Sequence, residues 1–273
     1  MEIRTLAHLP LSVLVDCFVQ SFEGYSVKVS NSVEYYAARW KAAMVRLDCS
    51  YGMFDGELLV GFVLHAIDTR QGVRMAFNDG TGVLPAYRGR RIVQALYAQA
   101  IPALKAMGIA LLSLEVIQQN EVALKAYTRV GFRIVKEYFC FKGVLLARPD
   151  AAMRLEATTF HRMEWNTLPA QAWQAWEHQP ESLEGGNFQY YYVWRKEERV
   201  GYFVVQPEYN YVAQVDCMHH SPVHWNALLM GVSQIANPVK VNNVDSRQPE
   251  KIHYLRRHGL QAYIHQYEMQ MPL

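Results

Sequence analysis

The chain has 273 residues, 51% of them hydrophobic and 19% charged, with a formal net charge of +2. That length exceeds one average domain, and the composition excludes a disordered chain and a strongly basic nucleic-acid-binding surface, so any phosphate site must be local. No stretch of about 18 apolar residues runs without charges, which excludes a membrane-spanning helix.

In chain order, apolar residues at helical spacing predict helices over 11–20 and 33–47, the second preceded by the candidate caps Ser30, Asn31 and Ser32. Residues 51–54 and 58–67 flank Asp55-Gly56 and predict a hairpin, because Asp-Gly supplies the positive φ of a tight turn. A strand over 74–83, a helix over 88–107 closed by Gly108, a strand over 109–116 and a helix over 120–130 closed by Gly131 follow, then a strand over 132–141. Periodicity is lost near Arg148-Pro149-Asp150, which marks a domain boundary. The second half predicts a helix over 170–177, strands over 188–194 and 200–206, a helix over 223–235 and a terminal strand, helix and strand. The expected architecture is α/β (α+β) on a mixed sheet, in two domains at 1–146 and 154–273.

The halves are related to each other. Asn120–Phe132 lies over Gln248–Leu260 at an offset of 128, which carries Gly131 onto Gly259. Val60-Gly61-Phe62 lies over Val200-Gly201-Tyr202 at an offset of 140, so the second copy is shorter between these landmarks.

The most informative stretch is Gly82-Val83-Leu84-Pro85-Ala86-Tyr87-Arg88-Gly89-Arg90-Arg91-Ile92-Val93-Gln94, where a strand ends in a basic loop and enters a helix. Outward N–H groups of a first helical turn, the helix dipole and three arginines suit a pyrophosphate. The same pattern describes a helix start with solvated arginines. Some twenty residues on stand Leu114-Glu115-Val116, Asn120, Ala123, Tyr127 and Gly131-Phe132.

Together these residues resemble the two motifs of the GNAT N-acetyltransferase superfamily, V-x-P-x-x-R/Q-G-x-G-x-G/A and L-E-V-x-x-x-N-x-x-A-x-x-x-Y-x-x-x-G-F, over roughly residues 1–143. Ser21-Phe22-Glu23-Gly24-Tyr25, Val60–Val63 and Gly80–Pro85 resemble a bacterial subgroup of unassigned substrate. The resemblance implies a GNAT fold followed by a degenerate GNAT-like copy that lacks the pyrophosphate loop. It implies acetyl-CoA as co-substrate, with the backbone of Val83 and Leu84 facing the acetyl and pantetheine groups. The amides of Arg88, Gly89, Arg90, Arg91, Ile92, Val93 and Gln94 would hold the pyrophosphate, and Asn120 the pantetheine arm. It further implies Tyr127 as the acid that protonates the departing thiolate and Glu115 as the base for the incoming ammonium, with Asp79 and Asp68 as alternative bases. Arg91 and Val93 depart from the family pattern, which has glycine and a small residue there.

No metal is required for such direct transfer. The cluster Cys217, His219, His220 and His224 does not follow a familiar zinc spacing and reads as packed or solvated side chains. The four cysteines, Cys17, Cys49, Cys140 and Cys217, are scattered without a CxxC pair, and the first ten residues lack the pattern of an export signal, so reduced thiols and a cytoplasmic location are expected. The expected partner is a small-molecule or peptide amine, with no nucleic acid and no membrane, bound through the early segments 25–47 and 68–74. A tandem copy suggests a monomer with an internal pseudo-dimer. The rival reading is a non-catalytic acyl-CoA-binding or sensing module.

Overall fold

The computed structural model describes residues 1–23 and 29–273. The chain divides into two compact units, Met1–Val135 with Glu268–Leu273, and Lys136–Tyr267.

Unit 1 runs β1 (Glu2–Thr5), α1 (Leu11–Ser21), α2 (Val33–Ala42), β2 (Tyr51–Asp55), β3 (Leu58–Arg70), β4 (Val73–Val83), α3 (Ile92–Ala106), β5 (Leu111–Ile117) and α4 (Glu121–Val130). Strands β1 to β4 pair antiparallel in sequence order, and β5 adds parallel to β4. The β2–β3 turn holds Gly56 at φ +60°, as the Asp-Gly pair demands. Helix α2 starts where Ser32 Oγ accepts the Tyr35 N–H at 3.1 Å, but it ends at Ala42, short of the expected 47. There Met44 turns left-handed at φ +64° and Val45 bridges to Ala66 of β3. Alternate residues of β3 serve opposite faces. The Phe62 ring packs 5.6 Å from Phe18 of α1, while Gly61 faces Ile92 of α3, where an added Cβ would stand 2.9 Å from its methyl group. Residues 268–273 complete this unit: the Leu273 N–H donates to the Ala110 carbonyl at 3.0 Å, and Met271 Sδ lies 2.9 Å from where a Cβ on Gly131 would be.

Unit 2 takes 136–143 of β6 (Arg133–Gly143), then β7 (Met153–Thr158), α5 (Pro180–Glu184), β8 (Gln189–Arg195), β9 (Glu198–Gln206), β10 (Tyr211–Cys217), α6 (Pro222–Ile235), β11 (Val239–Asp245), α7 (Pro249–Arg257) and 261–267 of β12 (Gln261–Pro272). Its strands follow the order β6-β11-β10-β9-β8-β7, with only β10 and β11 parallel. The expected break near 147–153 therefore lies inside unit 2. The strand after Gly131 pairs with β11 from Val239↔Gly143 to Asp245↔Tyr138, which joins it to the second half of the chain. The helix expected over 170–177 is two separate single turns, Gln171–Trp173 and Trp176–His178, entered through Ala170 at φ +61°. Here tertiary contacts override local spacing, because Gln171 Nε2 turns inward to donate to Tyr202 Oη at 2.8 Å.

The repeat seen in the sequence is a repeat of structure. In unit 1 the register runs Gly61↔Val83 to Leu64↔Gly80 and resumes at His65↔Asn78, leaving Asp79 as a bulge. In unit 2 it runs Gly201↔Cys217 to Val204↔Gln214 and resumes at Val205↔Val212, leaving Ala213 as the bulge. The parallel ladders stop at matching points, Asn78↔Leu114 and Val212↔Val241. No helix among the described residues is long and apolar enough to cross a membrane.

Candidate active site

The site of unit 1 begins where β4 and β5 part. Their ladder covers only Met75↔Leu111 to Asn78↔Leu114, so residues 79–83 of β4 have β3 on one side and a wedge on the other. The direction of each amide follows from the antiparallel pattern. The Leu84 N–H donates to the Val60 carbonyl at 2.9 Å, which makes 60/84 and 62/82 the hydrogen-bonded pairs. The N–H groups of Thr81 and Val83 therefore point away from β3, into the wedge. Of the expected pair, Val83 turns its N–H into the wedge while Leu84 gives its amide to β3; Thr81, not named in the sequence reading, also points its N–H into the wedge.

The basic loop is not yet helix. Gly89 sits at φ +78° and Arg91 at φ +58°, both left-handed, so α3 begins only at Ile92 instead of 88. The family's glycine at position 91 has this backbone reason, and an arginine held there carries a penalty of about 1 kcal/mol. Helix α3 has no side-chain cap, and its first intrahelical bond is Ala95 N–H to the Arg91 carbonyl at 3.1 Å. The amides of Ile92, Val93 and Gln94 are left without helical acceptors. The arginines divide the work. Arg88 Nε donates to the Val83 carbonyl at 3.3 Å and its Nη2 to the Ser21 carbonyl at 3.0 Å, tying the loop to β4 and α1. Arg90 donates to the Ala86 carbonyl at 3.2 Å and lies 4.8 Å from the Tyr87 ring centre. Arg91 is exposed and has no side-chain partner among the described residues. Of the three guanidinium groups it is the one placed to meet an anion.

On the far side of the wedge, Glu115 on β5 is half-buried, with Oε1 enclosed. Tyr127 on α4 is buried, its ring edge-on to Tyr97 at 6.5 Å and Phe132 at 5.9 Å. Asn120 caps α4, its Oδ1 accepting the Ala123 N–H at 3.1 Å, so only its Nδ2 is oriented to donate elsewhere. The bulged Asp79 has an enclosed carboxylate 4.0 Å from Arg39 of α2. Asp68 instead pairs with the buried Arg70 at 2.8 Å, which removes it from the candidate bases. Of the expected acceptor wall, 25–28 lie outside the described residues; 33–42 form α2, whose Tyr36 and Trp40 are buried against Phe18 of α1.

Unit 2 closes what unit 1 leaves open. Only four residues separate Cys217 from Pro222, against eight between Val83 and Ile92. Pro222 has no N–H, and Ser221 Oγ accepts the His224 N–H at 3.1 Å, so the start of α6 is capped. At the positions matching Asn78, Asp79, Glu115 and Tyr127 stand Val212, Ala213, Asn242 and Leu255. Across the equivalent wedge, Lys251 Nζ lies 3.5 Å from Asp216 Oδ2, both side chains at most 5% exposed. The matching positions in unit 1 are Ala123 and Gly82, too small to block anything. Gln214 adds a second closure, donating to the His178 carbonyl and accepting from Gln171 at 3.1 Å. The histidines after Cys217 have other work: His224 Nδ1 meets the His219 carbonyl at 3.2 Å, and His220 accepts the Trp225 indole N–H at 3.0 Å. Burial also pushes the Cys217 thiol far up.

Residues 16–132 match the model of the acetyltransferase (GNAT) family. No curated protein sequence matches the chain. Among solved structures, a GCN5-related N-acetyltransferase of Sphaerobacter thermophilus is 12% identical at a TM-score of 0.70, over 99% of this chain and 95% of that one. A tandem GNAT protein from the clavulanic acid biosynthesis pathway, described without AcCoA, is 15% identical at 0.71, over 99% and 98%. A GCN5-related N-acetyltransferase of Anabaena variabilis is 15% identical at 0.64, over 98% and 72%. At such identities these likenesses establish the fold alone, two GNAT-like units in tandem. The wedge and the uncapped helix start thus lie within residues 16–132, the stretch of the chain that matches the acetyltransferase (GNAT) family model.

Proposed function

We propose that unit 1 moves an acetyl group from acetyl-CoA to a primary amine of a small molecule or peptide, both held at once in the β4–β5 wedge. The observation that carries this reading is the pair of N–H groups, Thr81 and Val83, aimed into a wedge that lies beside an uncapped α3. These residues fit the group: the amides of Ile92, Val93 and Gln94 with Arg91 suit the pyrophosphate, Asn120 Nδ2 the pantetheine arm, and the Thr81 and Val83 amides the thioester carbonyl. Acetyl-CoA supplies an activated acyl group when bound. Glu115, or the bulged Asp79, takes the proton from the ammonium so that the amine attacks the carbonyl carbon. Tyr127 gives a proton to the sulfur as the C–S bond breaks, its phenolate regains one from the nitrogen that has attacked, and the neutral amide and free CoA leave. The closed wedge of unit 2 supports one cofactor site per chain. A monomer in the cytoplasm, where acetyl-CoA is supplied and thiols stay reduced, completes the reading; light scattering that gives a dimer would remove the first part.

The test is calorimetric titration of acetyl-CoA into the full chain, followed by an amine screen read by thiol release. One-to-one binding with release is expected, and Tyr127→Phe should lower kcat by about 10²-fold or more while leaving acetyl-CoA affinity unchanged. No binding up to millimolar would refute the reading. Binding without release on any amine would favour the acyl-CoA-binding module instead, a reading for which Arg91 and Val93 in the loop leave room.

A further inference from the structure

The wedge opens at Asn78, the last residue of β4 paired with β5. An asparagine is unexpected inside a buried strand. Its amide is fully used: Oδ1 accepts the Gly80 N–H at 3.0 Å, spanning the bulged Asp79, and Nδ2 donates to Thr81 Oγ1 and Tyr97 Oη, each at 2.8 Å. Tyr97 comes from α3, is completely buried, and also hydrogen-bonds Thr81. Its ring stands edge-on to both Tyr127 and Phe132, the latter at 5.4 Å. One buried network thus joins the strand that carries the wedge-facing amides, the helix that starts at the basic loop, and the helix that carries the candidate acid.

The second unit shows what this network is not needed for. It keeps the bulge, at Ala213, and keeps the point where the ladder ends, with Val212 where unit 1 has Asn78. The bulge and the wedge therefore form without the amide. What unit 1 has and unit 2 lacks is an open wedge with a use for N–H groups held in a fixed direction.

We infer that Asn78, with Thr81 and Tyr97, is a positioning residue that aims the Thr81 and Val83 N–H groups at a thioester carbonyl, so that the protein prefers acylated over free CoA. This rests on the acyl-CoA reading of the same site. The amides can reward only the ligand that carries the carbonyl, and only while the Asn78 hydrogen bonds hold the bulged stretch in one direction.

The experiment compares acetyl-CoA with CoA by calorimetry on the full chain. Wild type should bind acetyl-CoA about three- to tenfold more tightly, the worth of one well-aimed hydrogen bond. Asn78→Val, which installs the residue of the second unit, and Tyr97→Phe, which removes only a hydroxyl, should each bring that ratio toward one while CoA affinity stays within about twofold. A purely structural role would weaken both ligands equally or neither, and a preserved ratio in both variants overturns the inference. A wild type without preference overturns it too. A wild type that binds neither ligand overturns the acyl-CoA reading itself and the inference with it.

Discussion

Replacing Lys251 with methionine keeps the stem of the side chain and removes its charge, leaving Asp216 in unit 2 without its cation. Both side chains are at most 5% exposed and their charged atoms are 3.5 Å apart. Breaking a buried pair at one end costs about 3–5 kcal/mol, because the remaining charge is neither hydrated nor neutralised. Asp216 keeps one partner, the Cys217 N–H at 3.0 Å, which places the expected loss near the lower end, about 3 kcal/mol. Urea unfolding at pH 7.5, followed by tryptophan fluorescence, is well placed to see it, since every tryptophan except Trp40 lies in unit 2. The midpoint should fall by about 1–2 M. Asp216→Asn combined with Lys251→Met removes both charges and should return stability to within about 1 kcal/mol of wild type. If Lys251→Met shifts nothing, or if the double variant is as unstable as the single one, the pair is not the closure of the second wedge described above.

Burial holds the imidazoles of His65 and His178 down to about 4, so each stays neutral in the fold while the unfolded chain takes up a proton below its ordinary 6.5. Stability is then full above pH 6.5, falls as pH drops toward 4, and should be lower by about 2–3 kcal/mol per unit at pH 4.5, checked by urea melts at both pH values. A flat profile would show that neither imidazole is sealed from water. Gly82→Ala places a Cβ 2.6 Å from the Phe62 ring and 2.7 Å from Ser21 Cβ, so it should cost about 1–3 kcal/mol and loosen α1, read as a lower Tm. Arg91→Gly relieves a left-handed arginine and should be neutral or stabilising by up to about 1 kcal/mol; a larger loss in Tm would mean that the guanidinium holds the loop.

Elements whose signals are local were legible in the sequence. The Asp55-Gly56 hairpin, the Ser32 cap, the helix start at Asn120 and the Gly131 stop depend on residues within a turn of one another and fall where expected. The helix over 170–177 failed because Gln171 gains more from buried partners on β9 and β10 than from helical hydrogen bonds. Strand β10 was passed over because Gln214 and Asp216 break its apolar run, and both are polar for a reason that exists only in the fold. At the site, the motif spacing located the loop and the second helix but not which amides are free, since that depends on the phase of the β3–β4 ladder. Asn78 did leave a signal: a polar residue next to the apolar run that ends at Phe77.

The closing segment of unit 1 has a consequence for how the protein is made. Residues 268–273 leave the ribosome some 130 residues after Val135, following the whole of unit 2. At about 5–20 residues per second, β5 waits on the order of ten seconds for the segment that covers it. During that interval the nascent first half exposes an unfinished sheet margin, and a gene fragment cut at residue 146 would keep it exposed for good.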